Sequence, residues 1–326
     1  MAKKILAVIM ALSMLLVCLA ACNNNAADGE QKAQKTNVRF ATGGNTGTYY
    51  AFGTALAQVL ASKTDVTVPV QATGASKANI QLIAADEAEL AIVQNDVMDY
   101  AYNGTDLFEQ DGALKGFSSM AAIYAEVCQI IAKPGIDSVD DLMGLNVSVG
   151  DAGSGVEFNA KQILSAYGIT FDDINKQNLS FGASADAFKD GKIDAFFCTA
   201  GAPTTAVAEL ATTNEISVIT IDDEHAAKLI ADYPFYTQYP IPAGTYKGVD
   251  EDAKTVAVKA TLIVSEKLSE DVVYNMTKAI FENKDEIAVA HPKGAEIDTA
   301  YAVEGVSVPF HPGAEKYFRE IGVIAD

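Results

Sequence analysis

Arginine is almost missing from this chain: among 326 residues only Arg39 and Arg319 carry a guanidinium. That excludes most bidentate clamps on a carboxylate or phosphate, so an anionic ligand has to rest on backbone amides, hydroxyls or lysines. Basic residues are scarce altogether, 23 against 43 acids, which makes nucleic acid a poor partner. Histidine occurs only at His225, His291 and His311, each beside loop or proline residues and none at metal-ligand spacing with a cysteine or a second histidine. A Gly-x-Ser-x-Gly elbow, a phosphate-loop lysine motif and a dinucleotide fingerprint are all missing from the contexts they require, and Ser154 has no evident base. The inventory therefore speaks against an enzyme and calls for neither metal nor cofactor.

Cysteine is used four times, and the N-terminus accounts for two of them. Lys3 and Lys4 precede an apolar run from Ile5 to Val17, and Leu19-Ala20-Ala21-Cys22 follows, the pattern of a bacterial lipoprotein signal at residues 1–21 with Cys22 as the lipid acceptor. An uncleaved N-terminal helix is the competing reading, since the run nearly reaches the length of a membrane span. Removing residues 1–21 takes away two lysines and no acid, so 23 basic residues become 21 against 43 acidic ones, a formal charge of −22. Residues 22–36 hold almost no large apolar side chain and read as a flexible tether. Cys128 and Cys198 remain. A disulfide between them is open outside the cytoplasm, but each stands in an apolar strand-like run, where a free cysteine behaves as a small hydrophobe, and we expect them buried and unpaired.

What the chain does have is glycine-rich bends between strands and helices. The first, Phe40-Ala-Thr-Gly-Gly-Asn-Thr-Gly-Thr-Tyr-Tyr50, leads from an apolar strand start into a helix predicted over Thr48–Lys63, with Phe52, Leu56, Val59 and Leu60 on one face. A helix N-terminus leaves about four backbone N–H groups without intrahelical partners and carries partial positive charge, so such a loop suits a small anion. Strands are predicted at Val38–Ala41, Val66–Gln71 and Leu90–Gln94, with a short helix over Ser76–Ala85. The same logic returns at Asn146–Gly150, Asp151–Val156 and a helix over Glu157–Tyr167, and a third bend follows Cys198. Alternation of this kind argues for parallel sheets covered on both faces, with ligands at the carboxyl ends of strands. Met120–Lys133 reads as a strand crossing between two lobes, and Thr255–Ser265 as the returning strand.

Read together, Ala41–Tyr50, Leu90–Val97, Val147–Glu157, Ile193–Phe197 with Gly201-Ala-Pro203, Tyr233–Tyr236 with Ile241–Tyr246, and Val308–Glu315 resemble the solute receptors of tripartite ATP-independent periplasmic (TRAP) transporters, specifically the TAXI subfamily. The resemblance implies an α/β chain with the type II periplasmic-binding-protein fold, two lobes with a hinge and an interlobe cleft. It places residues 37–123 plus about 255–326 in lobe 1 and 124–254 in lobe 2. It also implies a non-enzymatic receptor, lipid-anchored on the extracytoplasmic face of the membrane. Such a receptor hands glutamate, related amino acids, oxo-acids or C4 and C5 dicarboxylates to a membrane-embedded permease driven by an ion gradient. A sensor module for a kinase and an extracytoplasmic enzyme using Glu126 or Asp96 are the alternatives. Two departures stand out. Thr73-Gly-Ala-Ser-Lys-Ala-Asn79 brings in Lys77, which reads as a solvated side chain or as one that would favour an extra carboxylate, and Tyr124-Ala125-Glu126 lacks the proline common at its middle position.

The candidate binding residues follow from both lines of reasoning. Thr46, Gly47, Thr48, Tyr49, Tyr50 and Ser76 would hold one end of the ligand, and Gly153, Ser154, Gly155, Thr199 and Gly201 would receive a carboxylate from the other side. Asn95 and Asp96 either bind or cap the helix that follows. Tyr124 either walls the ligand or packs in the core. Glu126, an acid in a buried strand, needs a partner, and a ligand ammonium is one candidate.

Overall fold

The structure is a computed structural model that describes residues 35–325. The signal sequence, Cys22 and the tether up to residue 34 lie outside the described residues. No helix among those described is long and apolar enough to cross a membrane.

One mixed sheet runs through the molecule. Its path is Val70–Gln71, Phe40–Ala41, Leu90–Gln94, Ala253–Ser265, Phe117–Ala132, Ala195–Ala200, Asn146–Ser148 and Asn175–Gln177. The expected parallel pairing holds at its two ends, where Phe40 pairs with Leu90 and Val147 with Ala195. The middle differs from the expectation. Phe117–Ala132 and Ala253–Ser265 are long, antiparallel to each other and to their outer neighbours, and they carry the sheet from one core to the other. Their mutual register shifts between Ala260 and Thr261 and again between Leu262 and Ile263, opposite the stretch around Tyr124, the kind of irregularity that bends a strand pair. The expected strand over Val66–Gln71 is divided in two, Val66–Thr67 and Val70–Gln71. Pro69 lies at the break, where it has no N–H to give a ladder.

Period-two alternation distributes the strand side chains between layers. Leu90 and Ile92 join a core formed with the helices Thr48–Lys63, Glu270–Glu282 and Pro312–Glu320. Ala91 and Val93 join another with Ser76–Ala84 and Asn95–Asn103 on the opposite face. At the far end Cys128, Ile130 and Phe197 pack under the helix Gly155–Ala166, while Ile131, Phe196 and Cys198 pack under Phe181–Lys189 and Thr205–Thr213. Fold class thus agrees with the sequence reading: α/β layers around two principal groups of cores joined by two long strands.

Cys128 and Cys198, the cysteines among the described residues, are buried and free. Gln129, not Cys128, lies opposite Cys198 in the ladder, so the two thiols point to opposite faces of the sheet. In native protein, Cys128 and Cys198 should therefore resist maleimide labelling. After denaturation without reductant both should label fully by peptide mass mapping, and a linked Cys128–Cys198 peptide would contradict this arrangement.

Candidate functional site

A cavity lies where the carboxyl ends of the strands Phe40–Ala41, Leu90–Gln94 and Ala195–Ala200 meet. Gly43, Gly44, Gly47, Thr48, Tyr49, Ala75 and Ser76 line one side, Gln94 and Glu126 the floor, and Ser154, Gly155, Val156, Phe181, Thr199 and Ala200 the other side. It offers about 50 Å³ to the centres of water-sized groups, enough for roughly three to five of them at 10–15 Å³ each. At about 30 Å³ of liquid volume per water, that is the displacement of a small organic acid.

Three helix N-termini open onto this space. Thr48–Lys63 starts after Gly47 and Ser76–Ala84 after Ala75. Neither has a side-chain cap, and neither carries an acid in its first turn. Gly155–Ala166 starts after Ser154, whose hydroxyl accepts from Glu157 N at 3.2 Å. The positive ends of the first two helices thus lack their usual local compensation, and all three direct backbone N–H groups toward one volume. Ala75 holds φ 66° and ψ −148°, a region left almost wholly to glycine, which stores on the order of 1–3 kcal/mol of strain at the cavity wall.

The floor has the opposite character. Glu126 is buried in the long strand, and Tyr49 Oη donates to its Oε2 at 2.8 Å. Burial drives its pKa up to about 8, with Asp96 adding to the shift and the Tyr49, Gln94 and Lys293 side chains opposing it. Lys293, itself buried, is held 2.5 Å from Glu296. Asp96 is buried as well, and desolvation raises it to about 6 despite donors from Val97 N and Asn159 Nδ2. Gln94 Oε1 and Tyr124 Oη are the buried side-chain polar atoms left without a hydrogen-bond partner among the described residues.

The two sides are in contact. Thr48 Oγ1 donates to Gly201 O at 2.9 Å, Ala206 N to Thr46 O at 3.3 Å, and Gln94 Nε2 to Asn159 Oδ1 at 3.0 Å. This is a closed cleft.

Of the residues expected from sequence, Gly47, Thr48, Tyr49, Ser76, Glu126, Ser154, Gly155 and Thr199 line the cavity. Seven stand outside its wall. Thr46 and Gly201 serve the seam through their carbonyls, and Tyr50 is half-buried on the helix, one position past Tyr49. Asn95 Oδ1 accepts from Lys259 N at 2.9 Å, and Asp96 binds Asn159 at 3.1 Å. Tyr124 packs edge-on against Phe52, centroids 5.1 Å apart. Gly153 turns the loop at φ 75° and donates to Glu157 Oε2 at 2.6 Å. Lys77 is directed to Leu107 O at 2.8 Å and Asp111 at 2.7 Å, so it is committed to that loop and not to an extra ligand carboxylate. The sequence reading missed Gln94, whose place at the end of a buried strand was the available signal. It also missed Phe181, which lies against Gly47.

The histidines have local roles. His291 Nδ1 and His311 Nδ1 accept from the backbone N–H groups of Lys293 and Gly313, each at 3.2 Å. His225 stacks on Tyr167 with centroids 3.6 Å apart.

Strand ends, glycine bends and a closed cleft between two α/β layers define the fold of a periplasmic solute-binding protein. A sequence model of the NMT1-like family matches residues 40–322, and the chain belongs to that family. Solved structures agree in fold. PhnD1 from Prochlorococcus marinus, solved in complex with methylphosphonate, is 12% identical with a TM-score of 0.55, over 89% of this chain and 99% of that one. A protein of Bordetella bronchiseptica RB50 is 17% identical at TM-score 0.53, over 90% and 91% of the two chains. The ligand-binding component of an ABC-type import system from Staphylococcus aureus, with zinc bound, is 10% identical at TM-score 0.51, over 89% and 93%.

Glu126 makes stability depend on pH. Its folded pKa near 8 lies above the ordinary 4.5, so between those values the native state holds a proton the unfolded chain has released. Stability is then complete below about pH 4.5 and falls by about 1.4 kcal/mol per unit as pH rises toward 8. Glu126→Gln removes this slope while keeping an acceptor for Tyr49. In unfolding titrations without added ligand, the variant should gain a few kcal/mol on the wild type between pH 5 and pH 8; a constant difference would contradict the assignment.

Proposed function

We propose that the chain is an extracytoplasmic solute receptor that captures a small carboxylate, with a glutamate-like amino acid, oxo-acid or dicarboxylate as the candidate cargo. The observation that carries this reading is the convergence of three helix N-termini on one cavity. Backbone N–H groups and helix dipoles there take the place of a guanidinium, since neither Arg39 nor Arg319 lines the cavity. The resemblance to TAXI receptors supports delivery to a TRAP permease, with Cys22 as lipid anchor and the extracytoplasmic face of the membrane as the place of work.

Closure in this reading is a hinge motion of residues 124–254 against 37–123 plus about 255–326. The register shifts opposite Tyr124 support a pivot there. The receptor performs no chemistry on its cargo.

A thermal-shift and calorimetric screen of the full chain in detergent against L-glutamate, L-glutamine, 2-oxoglutarate, succinate and malate tests the ligand class. A true ligand at one hundred times its Kd should add about 2.7 kcal/mol of stability and be recovered unchanged. Failure of every acid to bind would overturn the carboxylate reading.

The Staphylococcus aureus neighbour belongs to an ABC-type import system, which keeps an ATP-driven permease as a second reading. Uptake into vesicles carrying candidate permeases of each kind, with this chain added, separates the two. A sodium or proton gradient should suffice without ATP, and strict ATP dependence would favour the ABC-type reading.

A further inference from the structure

Lys293 is the only lysine buried among the described residues, and it does not line the cavity. It is mounted firmly on one side of the cleft. The short helix Pro292–Glu296 lies so close to the helix Lys284–Ala290 that a Cβ on Gly294 would come within 2.3 Å of Ala288 N, and Lys293 N donates to His291 Nδ1 at 3.2 Å. From there the side chain reaches the crossing strand. Its ammonium stands 5.8 Å from the centre of the Tyr124 ring and 2.5 Å from Glu296 Oε1, while Glu296 Oε2 accepts from Ala125 N at 3.4 Å.

Part of its cover comes from the other side. A Cβ on Gly201 would come within 2.8 Å of both Lys293 Cε and Thr48 Cγ2. Gly201 is not among the glycines with positive φ, so its missing side chain serves this approach and not a turn. Closing the cleft onto Lys293 therefore takes an ammonium out of water, and opening returns it. The ion pair is unequally placed: the Lys293 side chain is 6% exposed and that of Glu296 37%. A partly solvated carboxylate repays only part of the cost of burying its partner. Glu126, with its pKa pushed up to about 8, holds its proton at neutral pH and adds little negative charge.

We propose that Lys293 is the opening spring of the receptor: its ammonium, covered by Gly201 when the cleft is closed, biases the empty receptor toward the open state, so that closure waits for cargo. The inference rests on the hinge motion proposed above and goes beyond it by naming what drives the cleft open. Two substitutions should act with opposite sign. Lys293→Met keeps an unbranched stem against Gly201 and leaves Glu296 within reach of water, so the closed form gains. Glu296→Gln leaves the ammonium buried without a counter-charge, so the closed form loses. A merely structural role for the pair would weaken the closed form both times.

Pulsed electron–electron double resonance on the full chain in detergent, without ligand, tests this. Oxyamine spin labels are carried by ketone-bearing residues in place of Asp186 and Asp271, exposed on the helices Phe181–Lys189 and Glu270–Glu282 of the two sides. Gly201→Leu, a wedge at the contact, marks the open distance, and the wild type should show that distance together with a closed one. Lys293→Met should raise the closed-to-open ratio about fivefold or more, and Glu296→Gln should lower it by a similar factor. Lys293→Gln takes the place of the methionine variant if that one does not fold. A wholly closed wild type, an unchanged ratio, or a shift in the same direction in both variants would overturn the role of Lys293 while the wedge still shows the hinge. One distance in every sample, the wedge included, would overturn the hinge and this inference with it.

Discussion

The long antiparallel pair, Phe117–Ala132 against Ala253–Ser265, is the constraint on which the molecule depends. Each strand contributes side chains to cores at both ends of the sheet, so neither end can shift in register without exposing a set of buried residues. That pair brings Glu126 to the level where the strands Leu90–Gln94 and Ala195–Ala200 end. The glycine bends then have only to turn, and their helices begin at the cavity.

Electrostatics at the cavity follows from that placement more than from formal charge. The donors on its walls are main-chain groups at helix starts, which cost no side-chain entropy to hold in position and cannot be neutralised by pH. The titratable groups lie on the floor and behind it, where burial rather than pairing governs Glu126 and Asp96. Strain at Ala75 belongs to the same arrangement: its backbone is forced so that Ser76 can start a helix at the wall and accept from Gln94 N at 3.1 Å. One residue thus joins the two halves of the site, donating from Gln94 N to the Ser76 hydroxyl at one helix start and from Gln94 Nε2 to Asn159 Oδ1 on another helix.

Much of this was legible in the sequence wherever a local rule decides. The helix Thr48–Lys63 and the strand Leu90–Gln94 fall where period and glycine placement put them, because their apolar residues leave no other face to bury. The choice of parallel sheets was right for the ends and wrong for the middle, since strand direction in the crossing pair depends on which core receives the chain, a long-range matter. Glu126 announced itself as an acid in an apolar run. Gln94 gave only its place at the end of a buried strand, because the partner that holds its amide, Asn159, is 65 residues away. The partners of Lys77 were hidden for a related reason: Leu107 and Asp111 lie in a loop some 30 positions downstream.

Part of the seam between the two sides is made of main-chain groups. Ala206 N meets Thr46 O, and Thr48 reaches the carbonyl of Gly201. A backbone amide or carbonyl is the same whatever residue bears it. Side chains facing the cavity can therefore change with the cargo while the Ala206–Thr46 main-chain contact still helps to close the cleft.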